Sequence, residues 1–384
     1  MRGVVRSVVL LCTLALPWVP AHAATFQIVL QSPFASGSQA SVSPDGRLVG
    51  VAGFHDSAAG ESWRIELSPL LAVRISTSSP AGVPRFSSDG SVMMWTEGSP
   101  PVTHRREGGV TTTEPVSGAV NALAADGQHF AGTVTLNYWP QAYVAAHEAS
   151  GPPEFMLLGS LSSDPPISAA TSLSSDGSVV VGITANADLS AQQGFHWDAT
   201  NGMLGLDDLP DGGSDGWAHD VTPDARTIVG FATSASGKEA AIWRDGDGPI
   251  GLGDLAGGAF ESQANAVSAD GSRVVGWSTT GPATLGNPGT AAFFWDPSQG
   301  MRDLKTVLRD EYGLDLSRTA LDEATDISDD GGTIVGTGHD LIIYTPLVWV
   351  AVIPEPGSTA MLVPGVLALL TLERRRASSG SRRG

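Results

Sequence analysis

Polar and apolar positions alternate in short runs along most of this chain. Asn265-Ala266-Val267-Ser268 runs into Asp270-Gly271, and Arg273-Val274-Val275-Gly276 follows. A period of two marks strands with one buried face, and Asp-Gly between them marks a hairpin. The phrase recurs as ASVSPDGRLVG, PRFSSDGSVMM, NALAADGQHFAG, TSLSSDGSVVVG, HDVTPDARTIVG, NAVSADGSRVVG and TDISDDGGTIVG, beginning at Ala40, Pro84, Asn121, Thr171, His219, Asn265 and Thr325. Its aspartates are Asp45, Asp89, Asp126, Asp176, Asp224, Asp270 and Asp330, spaced by 44, 37, 50, 48, 46 and 60 residues. A mean period of about 48 signals a propeller or an array. Asp and Gly are expected to occupy the two positive-φ positions of each turn. Ala225 replaces the glycine in the fifth copy, so that turn must be strained or of another type. The aspartate column reads as turn chemistry ahead of metal binding.

Two further phrases follow in the later copies. Phe195-His196-Trp197, Ala241-Ile242-Trp243, Phe293-Phe294-Trp295 and Leu347-Val348-Trp349 each put two apolar side chains on one strand face. GMLGLDDL (202–209), GPIGLGDL (248–255) and GMRDL (300–304) read as a fourth strand entered through glycine. His196 reads as a solvent-facing strand residue. A unit of four antiparallel strands and about 48 residues has the size of a propeller blade. The seventh unit lacks a fourth strand, and the strand Thr25 to Leu30 has no partner before the first repeat. A closed ring lets the one complete the other and removes exposed edges. The expected fold is therefore an all-β propeller of seven blades, closed by the N-terminal strand. It is preferred to a sandwich or open solenoid. Short second and degenerate third and seventh copies leave six or eight blades as alternatives.

The two ends read differently. Arg2 and Arg6, the apolar run Val8 to Leu16 and Ala21-His22-Ala23 form a secretory signal peptide, cut after Ala23. That cut removes Cys12, the only cysteine, so the remaining chain has no disulfide and no thiolate chemistry. The tail carries Pro354-Glu355-Pro356, an apolar run from Ser358 to Leu372, and Arg374-Arg375-Arg376, with Arg382 and Arg383 beyond. An apolar run without a polar face, followed by arginines, reads as a brief membrane segment with a cytoplasmic end. The expected organisation is signal peptide 1–23, repeat domain 24–350 and sorting tail 351–384.

This tail resembles the PEP-CTERM sorting signal of Gram-negative bacteria. The resemblance covers roughly 30 residues. It implies transient anchoring in the inner membrane, cleavage near Pro354-Glu355-Pro356 by an exosortase, and release to the cell surface or the matrix. Pro364 inside the apolar run, Glu373 and the residues after Arg376 depart from the pattern and bear on processing efficiency. The repeats resemble the HAF repeats of bacterial extracellular proteins. GLGDLAGGAFESQANAVSADGSRVVG (251–276) is the best copy, and residues 150 to 350 match better than 40 to 150. That family supplies no enzymatic activity and no catalytic residues to carry over.

Charge narrows the partners. Residues 24–353 hold 14 basic and 38 acidic side chains. Such a surface repels nucleic acid and anionic membranes. It repels acidic polysaccharide too, unless divalent cations bridge them, and it favours solubility outside the cell. One candidate metal site stands out. Asp207, Asp208, Asp211 and Asp215 crowd DDLPDGGSDG, a glycine-rich loop with carboxylates suited to calcium. No other cofactor is indicated. The stretch from Asp326 to Asp330-Gly331 mimics the start of an EF-hand, but Thr337 stands where the closing Glu belongs. The histidines are scattered, with no H-E-x-x-H, no G-x-S-x-G and no phosphate loop. The function expected is a non-catalytic surface or matrix protein that binds or scaffolds exopolysaccharide or a surface protein. A glycan-degrading enzyme and a structural spacer are the alternatives. Acids, His or Tyr converging on the channel would favour the enzyme.

Overall fold

The computed structural model describes residues 24–31, 39–55, 59–76, 82–147, 153–162, 165–213, 215–244, 248–284 and 287–354. The expected cleavage residues Ala21 and Ala23, the sorting residues Glu355, Pro356, Arg374, Arg375 and Arg376, and the apolar tail lie outside them. Among the described residues no helix is long and apolar enough to cross a membrane.

Seven four-stranded antiparallel sheets form the domain. Blades 1 to 6, whose first strands begin at Gln39, Arg85, Gly118, Ile167, Trp217 and Ser262, run in chain order from that strand outward, and blade 7 runs from Thr319–Ile327 through Thr333–Asp340 and Pro346–Val352 to Thr25–Gln31. The N-terminal strand thus supplies the missing fourth strand, with Thr25 opposite Val352 and Gln31 opposite Leu347. Phe26 stacks on the buried Trp349 at a centroid distance of 6.2 Å. The fold is a closed seven-bladed β-propeller. Every strand pairs within residues 25–352, so this stretch is self-contained. The last blade packs slightly beyond residue 350, since Ile353 is buried and its N–H donates to Gly332 O at 2.7 Å. The longest repeat spacing accommodates a helix, Leu304–Asp310, N-capped by Asp303.

The core is divided. Apolar residues gather into seven clusters, each filling the gap between two neighbouring blades. In the later blades the paired apolar positions of the third strands supply much of them. Phe195 and Trp197 fill the gap between blades 3 and 4, and Leu347 and Trp349 that between blades 6 and 7. Each fully buried side chain of this size contributes roughly 1.5–3 kcal/mol.

The repeated aspartates act as turn residues, but differently from the expectation. Only the residue after each aspartate is left-handed, as at Gly271 (φ 68°) and Gly331 (φ 68°), and none of the seven aspartates has positive φ. The aspartate instead accepts hydrogen bonds. Asp270 Oδ1 takes the Ser268 hydroxyl at 2.7 Å and the Ser272 N–H at 2.9 Å. Ser268 Oγ in turn accepts from Arg273 N–H at 3.0 Å. The same Ser/Thr–Asp pairing recurs at Asp45, Asp89, Asp176, Asp224 and Asp330. Ala225 does take the left-handed conformation, at φ 61°, in a region that costs a residue with a Cβ about 1–2 kcal/mol.

A second glycine column has another cause. The inner strands of blades 3 to 7 each carry a bulge that breaks register once or twice. Opposite each bulge stands the glycine that ends the repeat. A Cβ on Gly230 would lie 1.9 Å from Trp217 O, and one on Gly276 would lie 2.0 Å from Gln263 O. Only glycine admits that carbonyl.

Candidate functional site: the central channel

The seven inner strands surround a polar cavity of about 520 Å³ on the propeller axis. The bulges decide what faces it. In blades 3 to 7 the residue left out of register is Asn121, Thr171, His219, Asn265 or Thr325. Four of these reach sideways to the next blade. Asn121 Nδ2 donates to Ala170 O, Thr171 Oγ1 to Ala218 O, Asn265 Nδ2 to Ala324 O and Thr325 Oγ1 to Ala40 O, at 2.7–2.9 Å. The fifth, His219, makes no such bond; its Nε2 is buried without a hydrogen-bond partner.

The following column lines the channel, and it is uneven. Blades 1, 3, 4 and 6 place Ser41, Ala122, Ser172 and Ala266 there, whereas blades 2, 5 and 7 place Arg85, Asp220 and Asp326. Both aspartates staple blades together. Asp220 accepts from Ser172 Oγ (2.7 Å), Val221 N–H (2.9 Å) and, across the interface, Val267 N–H (3.0 Å). Asp326 accepts from Ile327 N–H (2.8 Å) and from Val42 N–H of blade 1 (2.9 Å). Arg85 Nε is buried with no hydrogen-bond partner. The guanidinium is instead held by the field of the two carboxylates. Burial lowers its pKa, and attraction to Asp326 and Asp220 opposes that fall. Burial pushes Asp326 up to about 7; Arg85 restrains the rise and Asp220 adds to it. Asp220 is raised for the same first reason, with its hydrogen bonds and Arg85 opposing.

The two mouths differ. At the Asp-Gly end, backbone bonds run from blade to blade: Ser88 N–H to Ala125 O, Ser175 N–H to Pro223 O, Ala269 N–H to Asp329 O and Asp329 N–H to Pro44 O, at 2.9–3.1 Å. Pro44 and Pro223 accept in this ring but have no N–H to pass it on. The Asp329 carboxyl sits here, pushed up to about 6 by burial and by Asp220, Asp330 and Asp45. Toward the far mouth lie Gln263, Asn265, Glu323 and His219. Burial raises Glu323, and burial with nearby Lys238 lowers His219 to about 4, so its ring is neutral.

The candidate calcium loop lies elsewhere. Asp208 Oδ1 accepts from Thr233 N–H (3.1 Å) and Thr233 Oγ1 (3.3 Å). Asp207 is tied down through its carbonyl, which accepts from Trp243 Nε1 at 2.7 Å. Asp211 has φ 60° in the turn, and the Asp215 carbonyl accepts from Thr233 Oγ1 at 3.2 Å. Among the described residues no three or more His, Cys, Asp or Glu come together to hold a metal ion. Burial raises the Asp208 carboxyl, with Asp215 and Asp207 adding to the rise and the Thr233 hydrogen bonds opposing it. His196, on the third strand of blade 4, is half-buried.

The channel residues escaped sequence reasoning although the repeat contains them. In blades 3 to 7 the first residue of the phrase is the bulge, and in all seven the second lines the channel. The departure of Arg85, Asp220 and Asp326 from a small-residue column is the signal that would have found them.

Neither a family model nor a curated protein sequence matches the chain. Among solved structures, the acylaminoacyl peptidase of Pyrococcus horikoshii is similar over 82% of this chain and 51% of its own, at 12% identity and a TM-score of 0.53. The β-propeller domain of the Trilobed protease from Pyrococcus furiosus is similar over 69% of this chain and 80% of its own, at 14% identity and a TM-score of 0.47. TolB from Acinetobacter baumannii is similar over 80% of this chain, at 12% identity and a TM-score of 0.46, and the chain spans 64% of its length. These likenesses concern the fold alone.

Proposed function

We propose that this chain is an exported surface or matrix protein whose propeller binds or scaffolds exopolysaccharide without cleaving it. Asp220, Asp326, Asp329, Glu323 and His219 do converge on the channel, the arrangement that favours a glycan-degrading enzyme; one observation speaks against catalysis by the deepest pair. Asp220 and Asp326, the carboxylates deepest in the channel, already accept backbone N–H groups from two blades each. A glycosidase pair needs one carboxyl ready to give a proton and another facing the sugar, about 5–9.5 Å away. Glu323 and Asp329 have freer oxygens, but they stand six residues apart along one strand and its turn. Glu323 lies toward the far mouth and Asp329 at the Asp-Gly mouth, so the two do not face one sugar together.

The export and sorting part rests on the signal peptide, on Pro354-Glu355-Pro356 and on the arginines that follow the apolar tail. An exosortase-type enzyme is the processing partner, and the anchor in the inner membrane is transient. The fold suits such a tether. Thr25 and Val352 are paired beside Thr333, at the Asp-Gly end of the ring. Both termini leave there, so the far mouth faces away from the point of attachment. Incubating the 24–354 domain with exopolysaccharide of its host, with and without calcium, tests the reading. Retention of the polymer at unchanged chain length is expected. Shortened polymer would identify a glycan-degrading enzyme, and absence of retention would point to a spacer.

A further inference from the structure

The far mouth of the channel carries a connected set of polar side chains that spans three blades. Lys238 Nζ of blade 5 donates to Gln263 Oε1 of blade 6 at 2.8 Å. Gln263 Nε2 donates to Asn265 Oδ1 at 2.9 Å. Asn265 Nδ2 donates to Glu323 Oε1 of blade 7 and to Ala324 O, each at 2.8 Å. Gln263, Asn265 and Glu323 face the cavity, together with His219. The chain of bonds holds these groups in place and does not exhaust them. Gln263 Nε2 keeps a second N–H, Lys238 keeps two, Glu323 keeps Oε2, and His219 Nε2 is buried with no partner.

Rings back this array. The Trp217 ring lies 5.6 Å and the Phe231 ring 6.3 Å from that of His219. The Lys238 ammonium sits 4.0 Å from the Phe231 centroid and 5.0 Å from that of Trp277. Rotation of these side chains is thereby restricted, so little ordering remains to be done when a ligand arrives. Fixed donors beside fixed acceptors, on the wall of a half-open cavity, match a group that donates and accepts at neighbouring positions. Adjacent hydroxyls of a sugar do both. An acidic sugar fits poorly, because four carboxyls, Asp220, Glu323, Asp326 and Asp329, line the cavity, against Arg85 within it and Lys238 behind Gln263.

We propose that the far mouth, through Gln263, Asn265, Glu323 and His219, is a recognition subsite for a neutral hexose unit of a glycan. The inference rests on the matrix-binding reading and names the ligand class and the place for it.

Tryptophan fluorescence tests it, because Trp217 adjoins His219. The 24–354 domain is titrated with tetrasaccharides of glucose, galactose and mannose, and with a tetra-uronate. At least one neutral tetramer is expected to give a saturable change, and the tetra-uronate to bind at least about tenfold more weakly. Gln263→Ala removes a donor. Glu323→Gln keeps the acceptor for Asn265 and exchanges the free carboxylate oxygen for an amide nitrogen. Each is expected to weaken binding about tenfold, the factor that corresponds to one lost hydrogen bond of about 1.4 kcal/mol. Thermal unfolding within about 2 °C of the parent shows that each variant is folded. No saturable change with any neutral tetramer, unaltered binding by both folded variants, or preference for the tetra-uronate overturns the proposal. Host polymer retained equally by parent and variants would remove this subsite and keep the matrix-binding reading. A neutral tetramer bound here without retention of host polymer would do the reverse.

Discussion

Arg85→Leu isolates the charge group on the axis. The substitution keeps most of the apolar stem and removes the cation that faces Asp220 and Asp326. Both carboxylates stay stapled to their backbone donors, so they cannot swing out to water. Removing one partner of a buried ionic group typically costs about 3–5 kcal/mol. Unfolding entropy of about 2.1 cal/mol/K per residue gives roughly 0.7 kcal/mol/K for about 330 residues, so the melting temperature should fall by about 4–7 °C. The loss should depend on pH. Asp326 has a folded pKa raised to about 7, against about 3.9 unfolded, so its contribution favours the folded state below about pH 4 and is lost as pH rises through 7. At pH 8 the carboxylate is charged and Arg85 matters fully. At pH 5 Asp326 is mostly protonated, and the loss should shrink to less than about half. Differential scanning calorimetry of parent and variant at the two pH values measures both numbers. Equal losses at pH 5 and pH 8 would show that Arg85 acts by packing, and a fall below about 1 °C at pH 8 would refute the buried charge group altogether.

Three further outcomes are expected. The parent protein should melt highest between about pH 4 and 5.5. The turn carboxyls Asp89 and Asp176, held down to about 2 by hydrogen bonds from Ser91 and Ser178, lose their contribution as pH falls below about 4, whereas Asp326 and Asp329 lose theirs as pH rises through 6 to 7. A melting temperature that stays flat or climbs from pH 5 to 8 would contradict this. Ala225→Gly should stabilise by about 0.5–1 kcal/mol, since relief of φ 61° outweighs the methyl contact that Ala225 makes with the blade 4–5 cluster; urea unfolding reads the sign. Deleting residues 24–31 exposes the Leu347–Val352 edge and removes the buried Val29, so size-exclusion chromatography should show aggregation where the parent is monodisperse.

Much of the architecture was legible because its determinants are local. A Ser/Thr-x-Asp-Gly turn specifies itself within five residues, and the F-x-W pairs reveal their buried face by period two. Even the closure was readable, because a blade short of one strand and a strand short of a blade are both visible in the chain. The turn geometry was half right: glycine at positive φ follows from the missing Cβ, while the part played by Asp270 and its counterparts depends on a serine hydroxyl two residues back. In the loop of Asp207, Asp208, Asp211 and Asp215, the sequence does not show that Thr233 of another strand binds Asp208 Oδ1.

The chain by itself determines the turn positions, the four-strand unit of the later copies and the identity of the closing strand; the count of seven blades is decided by the tertiary structure. Tertiary structure alone decides what meets on the axis. Arg85, Asp220 and Asp326 are more than 100 residues apart in sequence, and only ring closure, with a bulge beside each aspartate, brings them to one channel. Their pKa values then follow from burial and from the sum of charges across the channel. Such sums depend on distance in space, and no local pattern records it.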